Sequence, residues 1–409
     1  MSLTKNQIRT VVAAIIASGT DDLNVMFLAF SMSSIIAEFS LKNAQAGMIA
    51  TITNLGMLLG GVWFGVLADR HNKMTVFKWT LAIFSLATVG IFFAPNIYVL
   101  YLLRFIAGIG VGGEYGIALS IMAHIVPANR MGRISSLNGV AGQVGSIASA
   151  TIAGLFLSRL GWRALFLFGL FPLLIVFYLQ FFIKEEKSFQ PDVVKEGSND
   201  RPSIKDLFKT KEMTHQTLML MVMTTVQIAG YFGMMNWLPT MMQKQAGISL
   251  GNSSWWMIAT IMGMSCGMIC FGRFLDAFGP RAVFGTFLIT SALAVYLFSL
   301  IRSEMALLFG GALMGFFVNG MFAGYGAVVS RLYEARIQSI ANNIILNVGR
   351  AIGGFSSLII GMIMDHSGTT SVMLFLSALY LISFTAMMTI PGFKRESYID
   401  GMETVAACE

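Results

Sequence analysis

Charge is what this 409-residue sequence has least of: Asp, Glu, Lys and Arg together make up 11% of it, against about 25% in an ordinary soluble domain. That shortage, beside a 56% hydrophobic content and a mean hydropathy of +0.73, excludes a water-soluble globule. Of only three cysteines, Cys266 and Cys270 share one apolar run and Cys408 is terminal, so neither a disulfide framework nor a zinc spacing is present. Segments of alternating polarity are missing, which excludes a lipid-facing β-barrel. The ten largely polar N-terminal residues lead into a long apolar tract without a small-residue cleavage site, so a retained first helix is expected rather than a removed signal peptide. No His/Glu metal set, nucleophile–base pair or phosphate loop stands at a tract boundary. The sequence thus predicts no enzyme, no metal and no cofactor other than coupling protons.

What fills the chain is a series of apolar tracts of about bilayer-spanning length. They run near 11–38, 44–67, 75–94, 97–124, 134–158, 162–183, 214–242, 251–275, 281–301, 304–330, 338–364 and 370–391. The expectation is an all-α membrane protein with twelve transmembrane helices, acting as a monomer in the cell inner (plasma) membrane. Placing both termini in the cytoplasm puts twenty of the 27 Lys and Arg residues inside and five outside, with Arg104 and Arg350 within spans. That bias orients the chain. It also accounts for the net charge of +7 without a nucleic-acid partner.

One long polar stretch, with mixed charges and two prolines, separates the sixth tract from the seventh. The chain therefore divides into an N-terminal six-helix bundle (1–183), a cytoplasmic linker (184–213), a C-terminal six-helix bundle (214–391) and a cytoplasmic tail (392–409). Gly65-Val-Leu-Ala-Asp69 returns as Gly272-Arg-Phe-Leu-Asp276, and Arg133-Ile-Ser returns as Arg336-Ile-Gln-Ser. Two matches at nearly one offset predict a duplicated unit and two pseudo-symmetric bundles. In such proteins a ligand is expected at mid-membrane between the halves, with alternating access by rocking.

Against this apolar background the ionisable residues inside spans stand out, because each costs at least about 2.5 to 3.5 kcal/mol at the helix centre unless paired, hydrated or protonated. Asp21 and Asp22 lie side by side about 16 Å into the first tract. Ser18 completes a stripe with them, although adjacent residues diverge by about 100° around a helix. Arg104 and Glu114 share the fourth tract but lie about 15 Å apart along it, too far to neutralise one another. Asn343, Asn347 and Arg350 fall at i, i+4 and i+7 on one face of the eleventh helix. The guanidinium fork suits carboxylate oxygens, so Arg350 is expected to bind an anion with Asn343 and Asn347 beside it. Gln227 and Tyr231, one turn apart on the seventh helix, offer further hydrogen bonds and an apolar wall. Gly108-x-Gly110-x-x-Gly113 matches a dinucleotide-binding pattern but lacks the strand and the exposed helix start that pattern needs. Those glycines read as helix-packing positions.

Gly65, Asp69, Arg70, His71, Asn72 and Lys73, with the second copy Gly272, Asp276, Gly279, Pro280 and Arg281, resemble the loop signature of the major facilitator superfamily. The resemblance extends over the whole chain, and Asn72 departs from it where glycine is usual. It implies that Asp69, with Arg70 and Arg133, and Asp276 in the second half hold the cytoplasmic side shut. Arg104 followed by the glycine-rich run to Gly113-Glu114, the tandem acids, Tyr231 to Thr240 and Asn347 to Arg350 resemble the branch of proton symporters for aromatic acids, sialic acid, nicotinate and other carboxylates. His124 departs from that branch, where an acid is often found before the Pro127 loop.

Residues and resemblance together predict a secondary active transporter for proton-coupled uptake of a small organic anion by alternating access, with the lipid bilayer as its other partner. Asp21, Asp22 and Glu114 are the proton-coupling candidates, with Arg104 as their basic counterpart. The alternatives are a proton-driven exporter or a facilitator of a sugar, drug or phosphate. A membrane sensor on the same fold is a further alternative, although the chain carries no soluble signalling domain beyond a short linker and tail.

Overall fold

A computed structural model of the chain describes residues 4–126, 128–183, 204–247, 249–301, 303–334 and 337–394. Most of the expected linker and tail lie outside the described residues. The described chain is helical, with no strand: α1 (Lys5–Phe39), α2 (Asn43–Arg70), α3 (Lys73–Gly90), α4 (Ile97–Ile125), α5 (Ala128–Leu165), α6 (Phe171–Phe182), α7 (Lys211–Ala246), α8 (Leu250–Phe278), α9 (Pro280–Phe298), α10 (Glu304–Gly320), α11 (Phe322–Leu332), α12 (Gln338–Gly353) and α13 (Ser356–Met388). Helix starts follow local chemistry. Thr4 and Gln7 form a reciprocal capping box on α1, and Asn72 accepts from the amides of Met74 and Thr75 at the start of α3.

Ten stretches of helix among the described residues are long and apolar enough to cross a membrane. Two are far longer than one crossing needs, at 46 residues (137–182) and 49 residues (340–388). Each contains one glycine with φ +75°, Gly161 and Gly368, at a kink where the helical rise resumes at once. This left-handed conformation carries little cost only for glycine. Elsewhere the breaks differ from the expected tracts. The tract 304–330 is two helices meeting at Met321, and the tract 338–364 is interrupted at Gly354 and Phe355. Large apolar side chains such as Trp63, Phe93, Phe181 and Phe309 stand on the outer surface, as a bundle solvated by lipid requires.

The chain forms two compact units: 1–195 with 235–243 and 248–258, and 196–234 with 244–247 and 259–409. The single helix α7 thus contributes its first two thirds to the second unit and residues 235–243 to the first. In the first unit α2 and α4 pack backbone to backbone through Gly56, Gly60, Gly108 and Gly112, the close approach that small residues permit in membranes. The α1–α5 seam uses Gly19 and Gly145 in the same way, while Gly142 leaves room for the Asp22 carboxyl. Toward the N-terminal end of α1 an apolar core joins Val11, Ala14 and Ala17 to Ile117, Ala118, Ile121, Met122 and Ile125 of α4.

In the second unit the same contacts recur 207 positions on. A side chain at Gly56 would strike the carbonyl oxygen of Phe105, and one at Gly263 that of Ala312. Gly60 is held against the Ile109 oxygen and Gly267 against that of Phe316, while Gly108 meets Thr53 and Gly315 meets Thr260. Gly161 and Gly368 obey the same offset.

Candidate functional site

In the first unit the tandem acids face different helices. Asp21 is buried, and its carboxyl is within hydrogen-bonding reach of the fully buried Glu114 carboxyl on α4. Among the described residues neither Glu114 oxygen, nor Oδ1 of Asp21, has a donor from any other group. A carboxyl donates to a carboxylate only when it carries a proton, so this contact becomes a hydrogen bond when one proton is present for the two acids. Asp22, half-buried, turns to α5, where its Oδ2 occupies the space that a side chain at Gly142 would need. Its charge is still felt at both Asp21 and Glu114. Three acids thus cluster on the α1, α4 and α5 faces of one unit.

Arg104 is not their partner among the described residues. It is buried with its guanidinium 4.7 Å from the centre of the Phe166 ring, and Nε and one terminal nitrogen have no hydrogen-bond acceptor. Phe27 packs edge-on against Phe166, which places Arg104 about two turns along α1 from Asp21, toward the Glu38 end. At that end Glu38 accepts from Arg163 and from the Trp162 ring nitrogen, both at 2.6 Å. Arg163 also donates to the carbonyls of Phe92 and Ala94. Among the described residues six more buried polar groups in this unit keep unpartnered atoms: Ser18, Asn24, Ser31, Asn54, Thr88 and Asn138, the last with neither amide atom satisfied. Sequence reasoning passed over the three asparagines, since an uncharged amide in an apolar tract gives a much weaker signal than a carboxylate.

The second unit holds the other candidates. Gly349 and Gly353 of α12 lie against α7 at Thr224 and Thr225, and Thr224 donates to the Ile345 carbonyl. Asn343, Asn347 and Arg350 therefore occupy the opposite face of α12, Asn343 exposed and the other two half-buried. Gln227 is buried, donating through Nε2 to the Val318 carbonyl at 3.0 Å and leaving Oε1 unpartnered. It ties α7 to α10. Tyr231, half-buried, stands edge-on to Phe232. Among the gating candidates, Asp276 meets Arg331 at 3.6 Å and Arg70 is exposed. The side chains of Asp69 and Arg133 lie outside the described residues. Among the described residues no group of His, Cys, Asp and Glu could hold a metal.

The chain matches the family model described as Major Facilitator Superfamily over residues 14–274 and 220–398. A protein of Haemophilus influenzae named for metabolite transport is 33% identical over 393 residues, covering 94% of this chain and 96% of that one. The niacin transporter NiaP of Acinetobacter baylyi is 27% identical, with 91% and 90% covered. The cis,cis-muconate transport protein of the same organism is 24% identical, with 90% of each covered. Among solved structures, a bacterial homolog of the human lysosomal transporter Spinster, inward-facing and occupied, superposes with a TM-score of 0.81 at 16% identity, covering 97% of this chain and 99% of that chain. At that identity the likeness concerns the fold.

Proposed function

The chain belongs to the Major Facilitator Superfamily, a family of transporters and not of enzymes, and on that premise we propose that it takes up a small organic carboxylate together with protons. The observation that carries this reading is the buried Asp21–Glu114 carboxyl contact. The recurring contacts at an offset of 207 supply an internal comparison. At that offset Asp21, Asp22 and Glu114 correspond to Ile228, Ala229 and Met321. If the halves are copies of one bundle, the fold itself does not need acids there. They are retained at a cost of several kcal/mol, and proton binding is the function that repays it.

In this reading the long helical runs divide at Gly161 and Gly368, giving twelve crossings in two pseudo-symmetric bundles with both termini cytoplasmic. The Asp21–Glu114 pair loads one proton from outside and releases it inside. Arg350, with Asn347 and Asn343 on its face of α12, receives the substrate's carboxylate. Niacin is an aromatic monocarboxylate and muconate a linear dicarboxylate, so what the names of these relatives share is the carboxylate. Asp69, Arg70 and Arg133 in one half and Asp276 in the other close the cytoplasmic side.

The test is uptake of nicotinate and cis,cis-muconate into proteoliposomes with and without an inward proton gradient. Asp21→Asn and Glu114→Gln are expected to abolish accumulation against a gradient while leaving exchange of preloaded substrate. Accumulation that stays pH-dependent in both variants would remove the pair from coupling.

A further inference from the structure

A proton held by Asp21 and Glu114 must reach water, and the two seams leading from the pair toward the N-terminal end of α1 differ in kind. Along the α1–α4 seam the face of α4 that carries Glu114 continues as Ala118, Ile121, Met122 and Ile125, against Ala17, Ala14 and Val11 of α1. All are buried and apolar, and such a seam holds no water. The α1–α5 seam is polar. Helices α1 and α5 run parallel, since Gly19 meets Ala141 and Glu38 meets Arg163. On α1, Asp22 and Ser18 lie one turn apart. On α5, Gly142, against which the Asp22 carboxyl rests, is followed one turn toward the same end by Asn138. Ser18 Oγ and both amide atoms of Asn138 are buried without partners among the described residues, at 6% and 2% residue exposure. Buried polar atoms left unpaired by protein are the usual seats of ordered water.

We propose that the α1–α5 seam is the proton's route between the acid cluster and the end of the bundle where α1 begins, with Ser18 and Asn138 holding the water that conducts it. This rests on the coupling reading above and adds the path to it. The proton on the Asp21–Glu114 pair passes to the neighbouring Asp22 carboxylate, and Asp22 gives it to water hydrogen-bonded to Ser18. Each water accepts one proton and releases another toward Asn138 and the aqueous side, so no other species is consumed. Besides Asp22 itself, the charged groups facing this route among the described residues are Asp21 and Glu114, with Lys5 and Arg9 exposed at the end where α1 begins. Arg104 lies about two turns away toward the opposite end, α5 carries no charge between Arg133 and Arg159, and α6 carries none. Asn138 and Ser18 are positioning residues, acting through water.

The experiment needs no substrate. The infrared band of protonated carboxyls is followed in the purified, lipid-reconstituted protein after a drop in pH and after transfer to heavy water. The acid cluster is expected to give a band in the wild type that Asp21→Asn combined with Glu114→Gln removes. Asn138→Leu is expected to keep the band but slow its appearance and its deuterium shift by about a hundredfold, the lower end of what a positioned proton-transfer group contributes. Asn138→Ser should restore the rate, and Ser18→Ala should slow it without a change in melting temperature. Unchanged rates in Asn138→Leu and Ser18→Ala, beside a band that depends on the acid pair, would overturn the route and leave the coupling reading standing. A band that survives loss of both acids would overturn the coupling reading itself, and with it the route.

Discussion

Gly60 and Gly267 stand 207 positions apart, and each is held against a helix carbonyl oxygen, of Ile109 and of Phe316, that obeys the same offset. A shared motif could arise by chance between two apolar helices. A shared motif whose partners also match is what a duplicated bundle would leave. Gly65 and Gly272, one and a half turns further on, have nothing within 4 Å of where a side chain would begin. The repeat thus carries its own control.

Alanine at Gly60 or Gly267 should destabilise the protein by about 1 to 3 kcal/mol, the usual cost of overpacking, because a backbone carbonyl cannot swing aside. Alanine at Gly65 or Gly272 should leave stability unchanged or raise it by up to about 1 kcal/mol, from the lower backbone entropy of the unfolded chain. Thermal unfolding in detergent would show the melting temperature falling for the first pair alone. Equal effects at all four sites would mean that the close approach does not hold these helices together.

The sequence carried the all-helical, membrane-spanning character and the acids openly, because long apolar tracts have few other uses and a carboxylate within one has few structural roles. It hid four things. Arg104 and Glu114 were legible as buried charges too far apart to meet, but Phe166 under the guanidinium belongs to a segment more than sixty residues away. Gly161 and Gly368 cannot be told from the other forty of the chain's 42 glycines until their backbone angles are seen. Asn138 is unremarkable as a residue type; only the packing around it reveals that its amide has nothing to bond among the described residues. The interruption at Gly354 and Phe355 was hidden too, since the residues around it stay small or apolar and continue the hydrophobic run.

Arg350→Lys keeps the charge on α12 and loses the fork. If Arg350 receives a carboxylate, the affinity for nicotinate should fall by about ten- to a hundredfold, the worth of a charge-assisted hydrogen bond at about 1.5 to 3 kcal/mol. Asn343→Ala, at the exposed end of the same face, should cost less. Calorimetric titration separates these outcomes, and unchanged affinity in Arg350→Lys would place the anion elsewhere.

At the far end of α1, Arg163 joins Glu38 to the Phe92 and Ala94 carbonyls that follow α3, while its guanidinium lies 4.7 Å from the Trp162 ring centre. Arg163→Lys has one nitrogen for three acceptors and cannot reproduce the fork. The melting temperature should fall, by an amount corresponding to about 1 kcal/mol, and less at high salt because the ion pair is partly exposed. Glu38→Gln retains an acceptor for Trp162 and should cost less than Arg163→Lys. The reverse order would mean that the carboxylate, and not the carbonyl contacts, dominates this tie.

Gly142 and Asp22 compete for one volume. A methyl group at Gly142 would meet the Asp22 Oδ2 and force the carboxyl off the α1–α5 seam, with no change of charge and no loss of a hydrogen-bonding group. Gly142→Ala should therefore reproduce the transport defect of Asp22→Asn, with uptake falling at every proton gradient while substrate affinity at Arg350 is kept. Because both substitutions act on one carboxyl, their effects should not add: the double variant should be no worse than the more severe single one. Additive losses would show that Gly142 matters for helix packing on its own account. Asp22→Ala in the Gly142→Ala background makes the distinction sharper. Removing the carboxyl relieves the clash, so stability should recover there while coupled uptake stays low. A variant that regained both would show that the position of Asp22 mattered for packing and not for the proton.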